Sequence, residues 1–425
     1  QGIIYNSGSK RAQGRITIDQ TISKKLRGGI TANYSENIRY GQPVNAGAGG
    51  NFTSYLLYQA WAYRPVAGTP GLYLDEVEDD AAEFVNASDL RFSPKVTAEN
   101  DYTRANSTNF SSNAYLEYDI LKNLKIKATG SVSNSLSEAK RFYNSQTPQG
   151  SPRNNGLARQ INGSYGYTES NIWSNENYLT YSPTLKKYHK FNFIAGLSYQ
   201  EGLGETFGYS SERITQEALG MYGLEYGNIY GKNSEGGEFG LMSLFGRMEY
   251  NYKSKYLVTA TIRSDASSKF ATGKKWSRFP SAAVAWNMKK ENFLSSVDWL
   301  SESKIRLGYG VTGNNRIGNY DTYSQFTNTV GNTYPFNNNG TPPGATIPSK
   351  IGNKDLKWES TQQLNVGYDF GMFKNRLSLT VDYYRKKTTD LLLNAELPSA
   401  TGFLRAFKNI GSIGNNGLEF TLSTT

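Results

Sequence analysis

Cysteine is absent from the 425 residues, and histidine occurs once, at His189. The first absence excludes disulfides and thiolate metal sites. The second leaves little for imidazole chemistry, because His189 sits in a basic turn with Lys186, Lys187 and Lys190, where neither a metal ligand nor a catalytic base is favoured. Long apolar runs are missing too: no stretch of about 18 apolar residues occurs, so no transmembrane helix is expected. Aliphatic core formers are scarce, with 37% hydrophobic residues and a mean hydropathy of −0.59. Enzyme signatures are lacking as well. There is no Gly-x-Ser-x-Gly elbow, Walker loop, His-Glu-x-x-His or dinucleotide fingerprint, so neither enzymatic activity nor a cofactor is expected.

What the chain has is aromatic side chains, 13% of all residues with 31 tyrosines, and a net charge of +10. A basic surface can attract nucleic acid. Here, however, Lys and Arg gather in short turns such as Ser23-Lys24-Lys25-Leu26-Arg27 and Tyr252-Lys253-Ser254-Lys255 rather than on one helix or face, which argues against a nucleic-acid partner.

The dominant pattern is period two, in paired segments of about ten residues separated by tight polar turns. Leu244, Gly246, Met248, Tyr250 and Tyr252 share one face while Arg247, Glu249 and Asn251 share the other. After the turn, Tyr256, Val258, Ala260 and Ile262 resume the apolar face, with Thr259, Thr261 and Arg263 opposite. The same grammar recurs at Ala114–Ile120 with Leu124–Ala128, and at Leu364–Phe370 with Leu377–Tyr383. Further pairs run over 15–34, 167–199 and 278–311, for roughly thirteen strands in all. A strand with one oily and one wet face suits a wall between lipid and water. The expected fold is therefore all-β, a transmembrane antiparallel β-barrel with a lumen lined by Arg247, Glu249, Asp369 and Asp382.

Long Gly-, Asn-, Ser- and Pro-rich connections are expected at 35–108, 135–165, 201–238, 264–277, 312–355 and 391–408. Short turns alternating with long loops is the asymmetry of brief periplasmic turns and extended outer loops. Within the loops, Phe52–Tyr63 predicts a short helix ended by Arg64-Pro65, and Glu291–Leu300 predicts a helical turn. Trp61, Tyr63, Arg64 and Tyr73 are the candidate ligand contacts, rings that stack on apolar sugar faces beside a hydrogen-bonding guanidinium. The plainer reading of these rings, and of Phe84, is loop packing or a membrane boundary. The acidic run 75–80 has carboxylates enough for Ca²⁺ but lacks the alternating ligand spacing and glycine of a dedicated loop, so a solvated segment is expected and no metal site.

The segments LFGRMEYNYKSKYLVTATIRSDASSKF, WSRFPSAAVAWNM, KIRLGYGVTGNNRIGNY, DLKWESTQQLNVGYDFGMFKNRLSLTVDYYRKKTTDLLL and NIGSIGNNGLEFTL closely resemble the barrel of SusC/RagA-type TonB-linked outer-membrane proteins of Bacteroidetes. Weaker similarity reaches back to about residue 10. The resemblance implies import of a large nutrient, a glycan or sometimes a peptide, across the outer membrane. It also implies a SusD-like surface lipoprotein as lid and the TonB–ExbB–ExbD complex acting on an N-terminal plug. No plug, TonB box or signal peptide is recognisable, so residues 1–425 are expected to be part of a single barrel domain of about 22 strands, with the plug and last strands elsewhere. A barrel serving as a docking or secretion-associated component is the alternative expectation, and the presence or absence of a plug separates the two.

Overall fold

The computed structural model describes residues 4–42, Leu56, Ala60, Trp61, 94–152, 159–329 and 345–424. Its strands are β1 (Gly8–Thr21), β2 (Leu26–Tyr40), β3 (Asp101–Leu121), β4 (Leu124–Tyr143), β5 (Asn162–Tyr181) and the two-residue β6 (Thr184–Leu185). They continue as β7 (His189–Glu212), β8 (Asn228–Tyr252), β9 (Tyr256–Ser267), β10 (Trp276–Asn287), β11 (Leu300–Asn314), β12 (Gln325–Thr329) and β13 (Ala345–Lys350). The last are β14 (Glu359–Met372), β15 (Leu377–Thr389), β16 (Leu392–Glu396), β17 (Arg405–Asn409) and β18 (Ser412–Thr424). One 14-stranded sheet holds the order β1-β2-β3-β4-β5-β7-β8-β9-β10-β11-β14-β15-β18, with β6 attached to β7. The hairpins β12–β13 and β16–β17 form two separate small sheets. Among the described residues no helix is long and apolar enough to cross a membrane.

Every neighbouring pair of the main sheet is antiparallel, and the register carries one alternation through the whole wall. Tyr250, Val258, Val284, Leu307, Val366, Tyr383 and Leu418 lie opposite one another in successive strands. One residue along, Glu249, Thr259, Ala283, Gly308, Asn365, Tyr384 and Gly417 form the next row, on the other face. Side chains alternate across a strand, so a single slip anywhere would carry polar groups into lipid. The outward rings and aliphatics have no cover within the chain: Leu197 is 43% exposed, Ile262 55% and Leu307 49%. In a water-soluble sheet that surface would be packed away. Facing hydrocarbon, it needs no further layer.

Aromatic residues mark the edge of this oily band at the short-turn end. Phe191 contacts Tyr250 at 4.8 Å, Tyr252 meets Tyr256 at 6.3 Å, and Tyr256 meets Trp286 at 6.5 Å between ring centres. Tyr181 stacks on Phe193, and Trp299 meets Phe370 edge-on, which extends the belt from β5 to β14. On β5 and β7 a second tier forms where Trp173 packs on Tyr199 at 5.3 Å. Phe193 and Tyr199 are six residues apart along β7, about 20 Å of extended chain, close to the height of an outer-membrane apolar band. Both belts place amphipathic rings at the two interfaces.

Parts of the anticipated loops are strand. β7 and β8 pair well beyond the upper aromatic tier, so that 201–212 and 228–238 are ladder rather than connection. The residues there, such as Glu201-Gly202-Leu203-Gly204-Glu205, carry little amphipathic signal because outside the membrane both faces meet water; backbone pairing holds them together with cross-strand contacts such as Tyr165–Tyr209, Tyr167–Phe207 and Thr168–Thr206. The 312–355 and 391–408 connections likewise contain the hairpins β12–β13 and β16–β17. The expected helix over Glu291–Leu300 contracts to the single turn Asn292–Ser295, and Leu300 already opens β11. The apolar spacing of Phe293 and Leu294 reflects a connection lying against the aromatic belt, where Phe293 meets Trp286 edge-on.

Facing makes a sharp forecast. Val258→Arg, on the lipid side, should impair assembly by about 2–4 kcal/mol, whereas Thr259→Arg, on the wet side opposite Glu249, should assemble normally. Heat-modifiable gel mobility reads the difference, and equal assembly of the two variants would contradict the assigned faces.

Candidate functional site

The inner face of the wall is a polar surface organised by ion pairs. Arg306 on β11 binds Asp369 on β14 through two bonds of 2.8 Å, from Nε to Oδ2 and from Nη2 to Oδ1. It also reaches Asp382 on β15 at 3.0 Å, while Lys304 approaches Asp369 at 3.4 Å. Thr380 donates its hydroxyl to the same Asp369 at 3.3 Å. A planar guanidinium engaging one carboxylate bidentately and a second in passing holds three strands in a defined lateral arrangement. Elsewhere on this face Arg247 pairs with Glu249, Arg263 with Asp265 at 2.8 Å, and Tyr115 donates to Asp19 at 2.8 Å. The four lumen residues anticipated from the alternation, Arg247, Glu249, Asp369 and Asp382, all lie on this face.

Above Arg306 the inner wall opens into a recess of about 810 Å³. Its floor is set by register: Arg306, Asp382 and Glu419 in one row, Asn365 and Tyr384 in the next, Gln363, Lys386 and Asn415 in the third. Glycine shapes it at one point. A Cβ on Gly417 would come within 2.8 Å of the outer ring atoms of Tyr384, so only the bare backbone lets that ring lie flat along the wall. The result is an aromatic plate bordered by amides and by charges of both signs. Such a surface can stack a sugar ring or hydrogen-bond an extended peptide.

The recess is roofed by Leu391, and the connections around it are locked by a buried cluster of Phe270, Phe279, Ile317, Leu356 and Trp358. Leu392 and Phe407 pack against that cluster, so three outer connections share one core. Trp358 donates its indole N–H to the Lys275 carbonyl at 2.8 Å and packs on Phe270 and Phe279. Polar bonds close the assembly: Lys357 N–H donates to Asn409 Oδ1 at 2.9 Å, and Asn409 returns a bond to the Lys357 carbonyl at 2.8 Å. Lys350 pairs with the buried Asp321, and Lys269 donates to the Ile317 carbonyl at 2.9 Å. Burial pulls the Lys269 ammonium below the ordinary lysine range, against the opposing pull of Asp321. Space for Phe279 depends on Gly313, where a Cβ would collide with the ring.

Of the residues anticipated as ligand contacts, Trp61 stands in a helical position and is 73% exposed. Tyr63, Arg64 and Tyr73 lie outside the described residues, as do Phe84, the acidic run 75–80 and most of the anticipated 52–63 helix. Leu56, Ala60 and Trp61 of that segment are helical. The recess itself uses residues of the wall and not the loop aromatics: Tyr384, Lys386, Gln363 and Asn415. Their signal was the same alternation that placed Asp382 inside, continued two and four residues further along β15.

A wall of amphipathic antiparallel strands, belted with aromatics, wet on one face and roofed by long loops, defines an outer-membrane β-barrel transport protein. The chain belongs to the TonB-dependent receptor β-barrel family: the model described as "TonB dependent receptor-like, beta-barrel" matches residues 34–425, and the SusC/RagA type is the one it follows. It is 30% identical over its full length to TonB-dependent receptor P3 of Formosa agariphila, and covers 41% of that protein. Over 186 residues it is 41% identical to TonB-dependent receptor SusC of Bacteroides thetaiotaomicron, matching 43% of this chain and 18% of SusC. In three dimensions 98% of the chain superposes on 44% of a chain in the structure of the RagAB peptide transporter, with a TM-score of 0.76 at 22% identity. The chain thus spans about two fifths of the length of full-length relatives such as P3. The family is one of receptors and transporters, and its members reside in the outer membrane.

Trp358→Ala should cost about 3–5 kcal/mol in the loop cluster while leaving the wall intact. The expected outcome is new proteolytic cleavage between β11 and β14 with unchanged heat-modifiable mobility. Gly313→Ala, by displacing Phe279, should give a milder version of the same pattern.

Proposed function

We propose that this chain is wall and outer vestibule of a TonB-dependent importer of a large polar nutrient, a glycan or an oligopeptide. In this reading the wall closes with further strands into a barrel of about 22. Ligand is captured at the outer loops, with Trp61, Tyr63, Arg64 and Tyr73 among its contacts. A SusD-like lipoprotein closes over the mouth, and TonB, ExbB and ExbD withdraw a plug so that ligand passes along the wet face. The observation that carries the reading is the recess at the outer end of that face, with Tyr384 laid flat on Gly417 among Gln363, Asn365, Lys386 and Asn415. Amides, one exposed ammonium and an aromatic plate match the hydroxyls and apolar faces of sugars, or the backbone of an extended peptide. The RagAB complex, described as a peptide transporter, and SusC supply the relatives on which the partner and substrate class rest.

The test is isolation of the intact protein from native membranes with whatever accompanies it. A lipoprotein and an oligosaccharide or peptide mixture should co-purify. Tyr384→Ala should then weaken binding of the recovered ligand about fivefold, roughly 1 kcal/mol, in isothermal titration. A barrel that brings down secretion components and no small ligand would instead establish the docking alternative.

A further inference from the structure

The six connections at the short-turn end join β1 to β2, β3 to β4, β5 to β7, β8 to β9, β10 to β11 and β14 to β15. Each carries at least one lysine, and four of them carry two; Lys24, Lys122, Lys187, Lys253, Lys290 and Lys374, one from each connection, are all exposed. Among the described residues none of these six makes an ion pair, whereas Lys255 and Glu291, beside them, pair with each other at 2.9 Å. The only carboxylates in these connections are Glu291 and Asp298, both between β10 and β11. The turns at this end of the wall therefore form an arc of positive charge, while the carboxylates just inside it, Glu117 and Asp119, pair with Arg27 and Lys125 instead.

Two further features set it apart from ordinary solvated turns. Lys187, Lys253 and Lys374 adopt left-handed backbone angles, with φ of +62°, +51° and +60°. Glycine or asparagine is the favoured occupant of such positions in hairpin turns. Ser254 and Phe373 share these angles in the same turns, so the angle belongs to the turn and what lysine adds there is an exposed charge. At one point the arc lies directly on the aromatic belt: the Lys253 ammonium sits 4.7 Å from the centre of the Tyr188 ring and 5.4 Å from that of Tyr252. The belt rings lie at the hydrocarbon boundary, so this ammonium sits at headgroup depth, and the other five turns close hairpins at the same end of the wall.

We propose that the short-turn rim is a binding collar for anionic phospholipid headgroups of the adjoining leaflet. Each ammonium offers a point charge and three donors to a phosphodiester or phosphatidylglycerol headgroup, and the belt beneath receives the acyl chains. A collar of this kind anchors the wall vertically, gathering acidic lipid at one face of the membrane.

Energy transfer from tryptophans near this rim, Trp286 and Trp299, reports which lipid gathers there. Intact protein from native membranes is placed in phosphatidylethanolamine nanodiscs containing a trace of phosphatidylglycerol or phosphatidylethanolamine dansyl-labelled on the acyl chain, so that each headgroup keeps its charge. The glycerol lipid should give the stronger transfer, and the excess should fade as salt is raised. The triple variant Lys187→Asn, Lys253→Asn, Lys374→Asn should lose the preference, by up to about fivefold for each lysine removed. Its heat-modifiable mobility should be unchanged, since asparagine suits those backbone angles better. The corresponding Lys→Arg triple variant should keep the preference. Equal transfer from both probes, or an undiminished preference in the asparagine variant, would overturn the proposal. So would pelleting with purified cell-wall sacculi while the two lipids transfer alike.

Discussion

In a hydrocarbon layer no water is available to a peptide group, so each backbone N–H and C=O of a crossing segment must find its partner in the protein. In this chain the ladder meets that demand for the strands between β1 and β18; the outer edges of β1 and β18 themselves have no partner among the described residues. Much else follows from it. A continuous ladder imposes one register, one register imposes one alternation, and the alternation decides that Val258 and Leu379 meet lipid while Thr259 and Thr380 meet water. The ion pairs of the inner face are then a consequence of position. Arg306, Asp369 and Asp382 are neighbours because the register makes them so, on the face that meets water.

Above the membrane the constraint relaxes, and the chain is used differently. β7 and β8 continue as a ladder with little amphipathic pattern, while the connections after β9, β11 and β15 fold onto a small core of their own around Trp358 and Phe270. That core is far smaller than a globular domain would need, yet it suffices because the wall below already fixes the ends of each connection. Under the proposed import reading, rigid loop bases over a polar recess would hold the ligand-contacting groups before ligand arrives.

Much of this was legible in the amino-acid sequence because period two is a local property. The alternations around Leu244–Ile262 and Leu364–Tyr383, the tight turns between them, the count of about thirteen wall strands and the inward placement of Arg247, Glu249, Asp369 and Asp382 all follow from side-chain spacing and turn chemistry. Where the pattern was silent the reading fell short. Glu201–Glu205 looked like loop because neither face is oily there, and Glu291–Leu300 looked helical because rings packed against the belt mimic a helical spacing. The hairpins β12–β13 and β16–β17 escaped notice for the same reason, being too short and too polar to announce themselves.

The sequence by itself determined the class of fold, the two faces of each strand and which end has short turns, since these depend on residues two apart or on adjacent turn residues. Only the tertiary structure decided that Tyr384 rests on Gly417, that Asn409 bridges to Lys357, and that one lysine from each of six distant turns comes to share a rim. Those relations join residues far apart in the chain. Their distances are set by strand register and loop closure, quantities that no local spacing of residues encodes.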